Sequence, residues 1–364
     1  MAQNFDSKMK VDLQNAKKLF LLRRLDKPGG AEESLKTLER SFEQNTKLVG
    51  YSSEHNEEYE SVTRLFTEKR ILPAEMFNFV RYLSAFFKFS RPVSDFDPDI
   101  IFSQHEQGLA ANIWGSRSLN VFFIRDAEFL HNKGFEGSYL VTKFLNLLFS
   151  KVNTRISNFI LNKSDLVIAN SDFMGEKYEE EFGVSYETVY PFVELDEYRV
   201  ERGEKLLHVN PSRSKGIELT LEIAEEMKKE EFIVAGDTSD REIKRRMEKL
   251  ENVTHLGYLD NMKEAYSQTK IVLMPSKWEE PYGRIPIEAG ASGIPTIATK
   301  KGGLPESVGN PELLIEDPTN FQSKILDIQK EYDNFVSSVR QNARKKSKES
   351  QVQKLKNILK RKFN

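Results

Sequence analysis

The stretch IVLMPSKWEEPYGRIPIEAGASGIPTIA, Ile271 to Ala298, sets the fold class. Ile271–Met274 is a short apolar run of strand type. A loop broken by Pro275, Pro281 and Gly283 follows, then a helix over Ile285–Ala291 and a second apolar run over Pro295–Ala298. A strand, a helix and a further strand in so short a span predict two parallel strands with a crossover helix. The loop enters the helix where backbone N–H groups are free and the helix dipole is positive, which suits a phosphate.

The same alternation extends in both directions. Upstream come strand Leu206–Val209, helix Ile217–Lys228, strand Phe232–Ala235, helix Arg241–Leu250, strand Val253–Leu256 and helix Met262–Ser267. An earlier series begins with Leu19–Leu22, the turn Lys27-Pro28-Gly29-Gly30 and a helix with Ala31, Leu35, Leu38 and Phe42 on one face. Its further strands are Lys47–Tyr51, Asp99–Ser103, Asn120–Ile124 and Asp165–Ala169. The charged segment Glu194–Glu204 lacks periodicity and is the linker candidate. Two doubly wound α/β domains are therefore expected, over residues 1–196 and 197–335, with a basic helix over 336–364. Such sheets bind ligands beyond the carboxyl ends of their strands, which makes a cleft between the domains the expected site.

Composition narrows the function. The chain has 364 residues, 54 Lys plus Arg against 56 Asp plus Glu, and no Cys. Near-balanced charge argues against a nucleic-acid partner. The missing cysteines exclude disulfides, thiolate metal sites and thiol catalysis. No secretion signal is visible at the N-terminus and no apolar run approaches membrane-spanning length, so a cytoplasmic protein is expected. The five His residues form no HExxH pattern, and no Asp-x-Asp motif is placed for a metal-nucleotide site. No metal is expected.

Several constellations carry chemistry. Glu280 and Glu288 bracket the loop-to-helix junction, one placed to accept hydrogen bonds from sugar hydroxyls and the other from a ribose. Read alone, they are equally a helix cap and a solvated carboxylate. Asn210-Pro211-Ser212-Arg213-Ser214-Lys215-Gly216 joins a strand to a helix and puts two cations where a diphosphate could sit; an exposed basic turn is the plainer reading. Gly29 and Gly30 allow close approach of a ligand to backbone, or form an ordinary turn. Phe122–Ile124 ends in Arg125 and Asp126. Asn170 and Ser171 follow another strand, where Ser171 or Asp172 is also a fitting helix cap.

The segment Glu280-Pro281-Tyr282-Gly283, Pro286-Ile287-Glu288-Ala289, Ala291-Ser292-Gly293-Ile294-Pro295 and Gly302-Gly303-Leu304-Pro305-Glu306 closely resembles the signature of retaining family 4-like glycosyltransferases, also termed glycosyl transferases group 1. That resemblance implies the GT-B fold, with two facing Rossmann-like domains and a nucleoside diphosphate sugar as donor. It implies that Glu280 contacts the donor sugar and Glu288 the ribose, and that backbone near Tyr282, Gly283, Arg284 and Ile285 holds the diphosphate. Lys215 matches the family's diphosphate-binding lysine. Asn210 stands where relatives carry an Arg, so Arg213 is the substitute cation. Gly29 and Gly30 match the N-domain glycine loop. Arg125 stands where many relatives have a His facing the reacting sugar, and it would act as a fixed cation. The family uses no metal or other cofactor here.

The partners implied are a nucleotide-sugar donor and a glycan or lipid-linked acceptor. Residues 340–364 carry ten Lys or Arg and one Glu. They form an amphipathic helix that either packs back across the fold or touches an anionic membrane. The stripe Met76, Phe79, Val80, Leu83, Phe86 and Phe87, flanked by Arg81, Lys88 and Arg91, is expected to pack in the core; contact with an anionic membrane is the alternative reading. A non-catalytic nucleotide-sugar-binding subunit, or an epimerase or phosphorylase of the same fold, is the rival to a transferase.

Overall fold

The computed structural model describes residues 12–24, 30–42, 44–51, 74–130 and 140–363. Contacts divide the chain into two compact units. One is Met1–Tyr190 together with Val352–Asn364, and the other is Pro191–Gln351.

In the first unit a six-stranded sheet runs in the order β2-β1-β3-β4-β5-β6. Its strands are β1 (Lys18–Arg24), β2 (Thr46–Tyr51), β3 (Ile100–Gln104), β4 (Leu119–Ile124), β5 (Leu166–Ala169) and β6 (Glu187–Thr188). Every pairing is parallel. β3, β4 and β5 are buried along their whole length, as continuous apolar runs covered on both faces must be. The helices are α1 (Gly30–Glu39), α2 (Ala74–Phe96), α3 (Gln107–Trp114), α4 (Leu140–Lys163) and α5 (Asp172–Phe182). The β2→β3, β3→β4 and β4→β5 crossovers all run one way along the sheet. Right-handed connection therefore lays α2, α3 and α4 on one face, where they pack on one another. Gly183 closes α5 at φ 64°.

The second unit repeats the plan with order β12-β11-β10-β7-β8-β9. Its strands are β7 (Lys205–Val209), β8 (Phe232–Ala235), β9 (Val253–Gly257), β10 (Thr269–Met274), β11 (Thr296–Thr299) and β12 (Leu314–Ile315). Its helices are α6 (Ile217–Glu226), α7 (Arg241–Lys249), α8 (Lys263–Tyr266), α9 (Ile285–Gly290), α10 (Leu304–Val308), α11 (Phe321–Lys330) and α12 (Tyr332–Lys345). Strand order reverses between β7 and β10, and in the first unit between β1 and β3. These are the switch points at which open α/β sheets form crevices.

Helix α13 (Lys348–Phe363) carries the chain into the first unit. Val352, Leu355, Ile358 and Leu359 are buried, Lys356 lies over Phe42, and Arg361 pairs with Glu187. The basic tail is thus a structural helix with its charges on the outer side. Among the described residues no helix is long and apolar enough to cross a membrane.

Two expectations need correction. Glu194–Glu204 is no free linker: Ser292 Oγ accepts from Val200 N at 2.8 Å and donates to the Tyr198 carbonyl at 3.1 Å. Leu195 is buried, so the segment is anchored within the second unit. The stripe on α2 is also turned the other way. Val80, Leu83 and Phe87 are exposed, whereas Tyr82, Ala85, Phe89 and Val93 form the buried face. Two residues along a helix amount to about 200° of rotation, so both sets make an apolar stripe and they point in opposite directions.

Candidate active site

At the second unit's switch point, the loops after β7 and β10 bring Lys215 and Glu280 together. Lys215 Nζ lies 2.5 Å from Glu280 Oε1, and Ser276 Oγ donates to the same oxygen at 2.9 Å. Glu280 is 4 % exposed, and Lys215 also lies 4.9 Å above the Trp278 ring. Both side-chain bonds that Glu280 receives among the described residues fall on Oε1. Oε2 can accept a further hydrogen bond.

The backbone around this pair explains its sequence. Gly216 has φ 77°, and a Cβ there would meet the Pro275 carbonyl oxygen at 1.9 Å. Only glycine lets Lys215 lie against the end of β10. Gly302, at φ 59°, backs in the same way onto the Glu280 carbonyl oxygen, 2.3 Å from where a Cβ would stand. Gly303 N donates to that carbonyl at 2.7 Å, and Lys301 Nζ donates to the Lys277 carbonyl at 3.0 Å. The segment after β11 is thus the bed on which the Glu280 loop rests.

Glu288 lies within α9 and is 8 % exposed. Tyr266 Oη donates to its Oε2 at 2.9 Å, and Arg284 Nε stands 3.3 Å from its Oε1. Arg284 also donates to Tyr198 Oη at 3.2 Å. Burial pushes the Tyr266 phenol well above its ordinary value, with the Glu288 charge adding to the rise. That phenol is a fixed donor. Tyr282 is buried, Gly283 adopts φ 84°, and Arg284 and Ile285 open α9. The first-turn N–H groups of a helix have no intrahelical acceptor.

The structure separates Arg213 from Lys215. Its guanidinium binds Asp240 at 2.8 Å, Glu242 at 2.5 Å and also Glu218. Glu218 in turn takes Lys277. Three carboxylates neutralise Arg213 on the exposed side of the turn. Asn210 takes a left-handed conformation at φ 67°. His208, buried on β7, accepts or donates at Nδ1 with Thr220 Oγ1 at 2.8 Å, and burial lowers it to about 4.

In the first unit, Arg125 is 6 % exposed, with its guanidinium 4.5 Å above the Phe123 ring; its carbonyl accepts from Asn170 Nδ2 at 2.7 Å. Ser171 is the N-cap of α5, accepting from Met174 N at 3.0 Å. Gly30 opens α1, whereas Gly29 lies outside the described residues.

The larger feature there was not read from the sequence. Around the β1/β3 switch point, Glu106 accepts from Arg23 at 3.1 and 2.6 Å and from Arg81 at 2.9 Å. Glu128 lies 2.7 Å from Arg23, 2.6 Å from Arg81 and 2.8 Å from His105 Nδ1. His105 is held at φ 48°. Burial opposes the charge on Glu106, but Arg81 and Arg23 overcome it and lower the group to about 2. Burial and the Arg23 charge work against His105, yet Asp126 and Glu128 raise it overall. The readable signal was a charged residue straight after each apolar strand: Arg23 on β1, and His105 and Glu106 after β3. His105, Asp126 and Glu128 also place ligand atoms within 4.8 Å of one another. Arg23 and Arg81 already supply the positive charge that a divalent ion would bring to Glu128.

Comparison with known proteins agrees with this architecture. Residues 28–197 match the model of Glycosyltransferase Family 4, and residues 205–331 match that of Glycosyl transferases group 1. The fold is similar to that of Anabaena Alr3699/HepE, solved with UDP, at TM-score 0.70 and 18% identity over 94% of this chain and 99% of that one. It is also similar to WaaG, a glycosyltransferase involved in lipopolysaccharide biosynthesis, at TM-score 0.59 and 14% identity over 94% and 99% of the two chains. Two uncharacterised Klebsiella pneumoniae proteins in the cps region, of 41.2 and 42.6 kDa, are 29% and 25% identical. Those alignments cover 44% and 60% of this chain but only 49% and 62% of the relatives' lengths. The two matched regions fall on the two sheets, and the chain has the GT-B fold of these glycosyltransferases.

Proposed function

We propose that the chain is a retaining glycosyltransferase that moves a sugar from a nucleoside diphosphate sugar to a hydroxyl acceptor in glycan or glycolipid biosynthesis. The Lys215–Glu280 pair at the β7/β10 switch point carries this reading. Glu280 orients the donor sugar through Oε2. Lys215 meets the diphosphate, where its charge opposes the negative charge that develops as the bond to the anomeric carbon breaks. The N–H groups of Gly283, Arg284 and Ile285 bind the same phosphates, with Tyr282 buttressing the loop, and Glu288 binds the ribose. The acceptor oxygen bonds to the anomeric carbon, and its proton passes to the leaving phosphate. Arg213 would join Lys215 only by exchanging its three carboxylates for the diphosphate. Arg125, Gly29 and Gly30 form the N-domain contribution, a fixed cation and a close backbone approach. No metal is needed, because Lys215 and the helix terminus supply the positive charge.

Retention rests on the spacing of Glu280 and Glu288 and its resemblance to retaining enzymes. The UDP and UDP-glucose complexes of HepE support testing UDP-sugars first, and the Klebsiella cps-region relatives support a polysaccharide acceptor. The test is a screen of UDP-, GDP- and ADP-sugars for nucleoside diphosphate release, with Glu280→Ala alongside. Release by the wild type alone, with the anomeric configuration kept in the NMR spectrum of the product, is the expected result. Donor binding without release from any sugar would replace the transferase reading by a binding one. An inverted product would remove retention.

A further inference from the structure

We propose that the outer surface of α2, α3 and α4 is a docking face for an anionic phospholipid bilayer. Nine of the twelve large apolar side chains most exposed among the described residues lie on these three helices. On α2, Val80, Leu83 and Phe87 form a stripe that ends in exposed Arg91; Phe87 is 68% exposed. On α4, Phe144, Leu147 and Leu148 lead along one stripe to exposed Lys151 and Arg155, and Phe144 is 66% exposed. At the end of α3, Trp114 donates to the Phe86 carbonyl at 3.0 Å and its ring lies tilted 5.0 Å from the Phe86 ring, joining α3 to α2.

Charge identifies the occupant. Helices α2, α3 and α4, with residues 115–118 after α3, hold eight Lys or Arg and two acidic residues, buried Glu75 and exposed Asp95 in the last turn of α2. Arg81 is turned to Glu106 and Glu128, which leaves Arg91, Arg117, Lys151, Arg155 and Lys163 exposed. An apolar face with five exposed cations against one exposed acid, Asp95, matches anionic lipid headgroups with acyl chains beneath them. A second copy of the same face would set cation against cation. The apolar side of α13 is buried in the fold, so the basic tail offers a bilayer charge but no apolar surface. The face stands apart from the transferase reading, and its test needs no turnover.

The full chain is sedimented with phosphatidylcholine vesicles, with and without phosphatidylglycerol. Variants are Phe87→Ser/Phe144→Ser/Leu148→Ser, Lys151→Glu/Arg155→Glu, and the tail control Lys360→Glu/Lys362→Glu; all these side chains are exposed, and near-UV circular dichroism checks each fold. The wild type and the tail control are expected to pellet with phosphatidylglycerol vesicles only. Each face variant should partition about tenfold less. The proposal falls if the wild type stays in the supernatant, if face variants pellet like the wild type, or if only the tail control loses binding. It also falls if the apolar variant turns a dimer into a monomer in sedimentation velocity while pelleting is unchanged.

Discussion

Lys215 Nζ reaches Glu280 Oε1 across 2.5 Å although the two residues are 65 positions apart in the chain. The pair spans the point where the second sheet reverses its strand order. If it serves the reaction as proposed, Lys215→Ala and Glu280→Gln each lower kcat/KM by about 10²–10³-fold. Donor binding should weaken far less. Ser276→Ala removes a neutral bond to the same carboxylate and should cost about tenfold or less. Steady-state kinetics beside calorimetric donor binding separates these outcomes; unchanged rates in all three would remove the pair from the chemistry.

The seat of Lys215 depends on a missing side chain. Gly216→Ala puts a methyl group against the Pro275 carbonyl at a left-handed backbone position. A loss of ~1–3 kcal/mol in unfolding free energy is expected, with reduced turnover because Lys215 is displaced. Urea titration and kinetics measured on the same preparation test both effects. A variant as stable and as active as the wild type would contradict the geometry.

Glu106 is almost sealed from solvent, with a side chain 5% exposed that holds both Arg23 and Arg81. Glu106→Gln leaves these guanidinium groups with one fewer negative partner inside the fold. Breaking such a pair costs about 3–5 kcal/mol, and Glu106→Asp should recover part of it. Chemical denaturation that shows a loss below about 1 kcal/mol would mean that the network relaxes or hydrates.

Two buried histidines should be shifted in opposite directions from the ordinary imidazole value. His208 is lowered to about 4 by burial, so between pH 6.5 and 4 the unfolded chain takes up a proton that the folded chain refuses. Its contribution is whole above pH 6.5 and falls away by about 3 kcal/mol as the pH drops through that window. Glu106 adds a loss between pH 4.5 and about 2. His105 is raised, so its contribution is present below pH 6.5 and is lost as the pH climbs through its higher folded value. Imidazole nitrogen–proton NMR reads both sites; His105 titrating below His208 would refute the assignment.

The tail can be tested as a structural element. Leu355 is fully buried on α13, and Leu355→Ala should cost about 2–5 kcal/mol. Lys360→Glu, on the exposed side, should change stability by no more than about 0.5 kcal/mol. Equal thermal midpoints for wild type and Leu355→Ala would show that the helix is not docked.

Most of the architecture was legible because interior parallel strands must be apolar throughout. Runs such as Phe232–Ala235 and Asn120–Ile124 announce themselves, and Gly and Pro mark their ends. The edge strands β6 and β12 were not, since two-residue strands leave no pattern. Glu280, Lys215 and Glu288 stood out through the likeness of their loops to the family's motifs, because the two carboxylates alone read as well as a helix cap and a solvated group. The Arg23, Arg81, His105, Glu106 and Glu128 network had no such likeness. Its members come from four separated stretches and meet only when β1, β3 and β4 pair and α2 packs over them. The outward stripe of α2 was misjudged for a related reason. A helix with apolar residues on opposite sides offers two candidate inner faces, and only the neighbouring helices decide between them.

Val352–Asn364 belongs to the unit formed by residues before Pro191, with all of the second unit made in between. During synthesis, residues up to Tyr190 must therefore wait for the whole second unit and α13 before their contacts are complete. Phe42, Tyr190 and Glu187 meet their partners on α13 last of all. The first unit thus passes through a stage with an unfinished surface, whose lifetime is set by translation of the other half of the molecule.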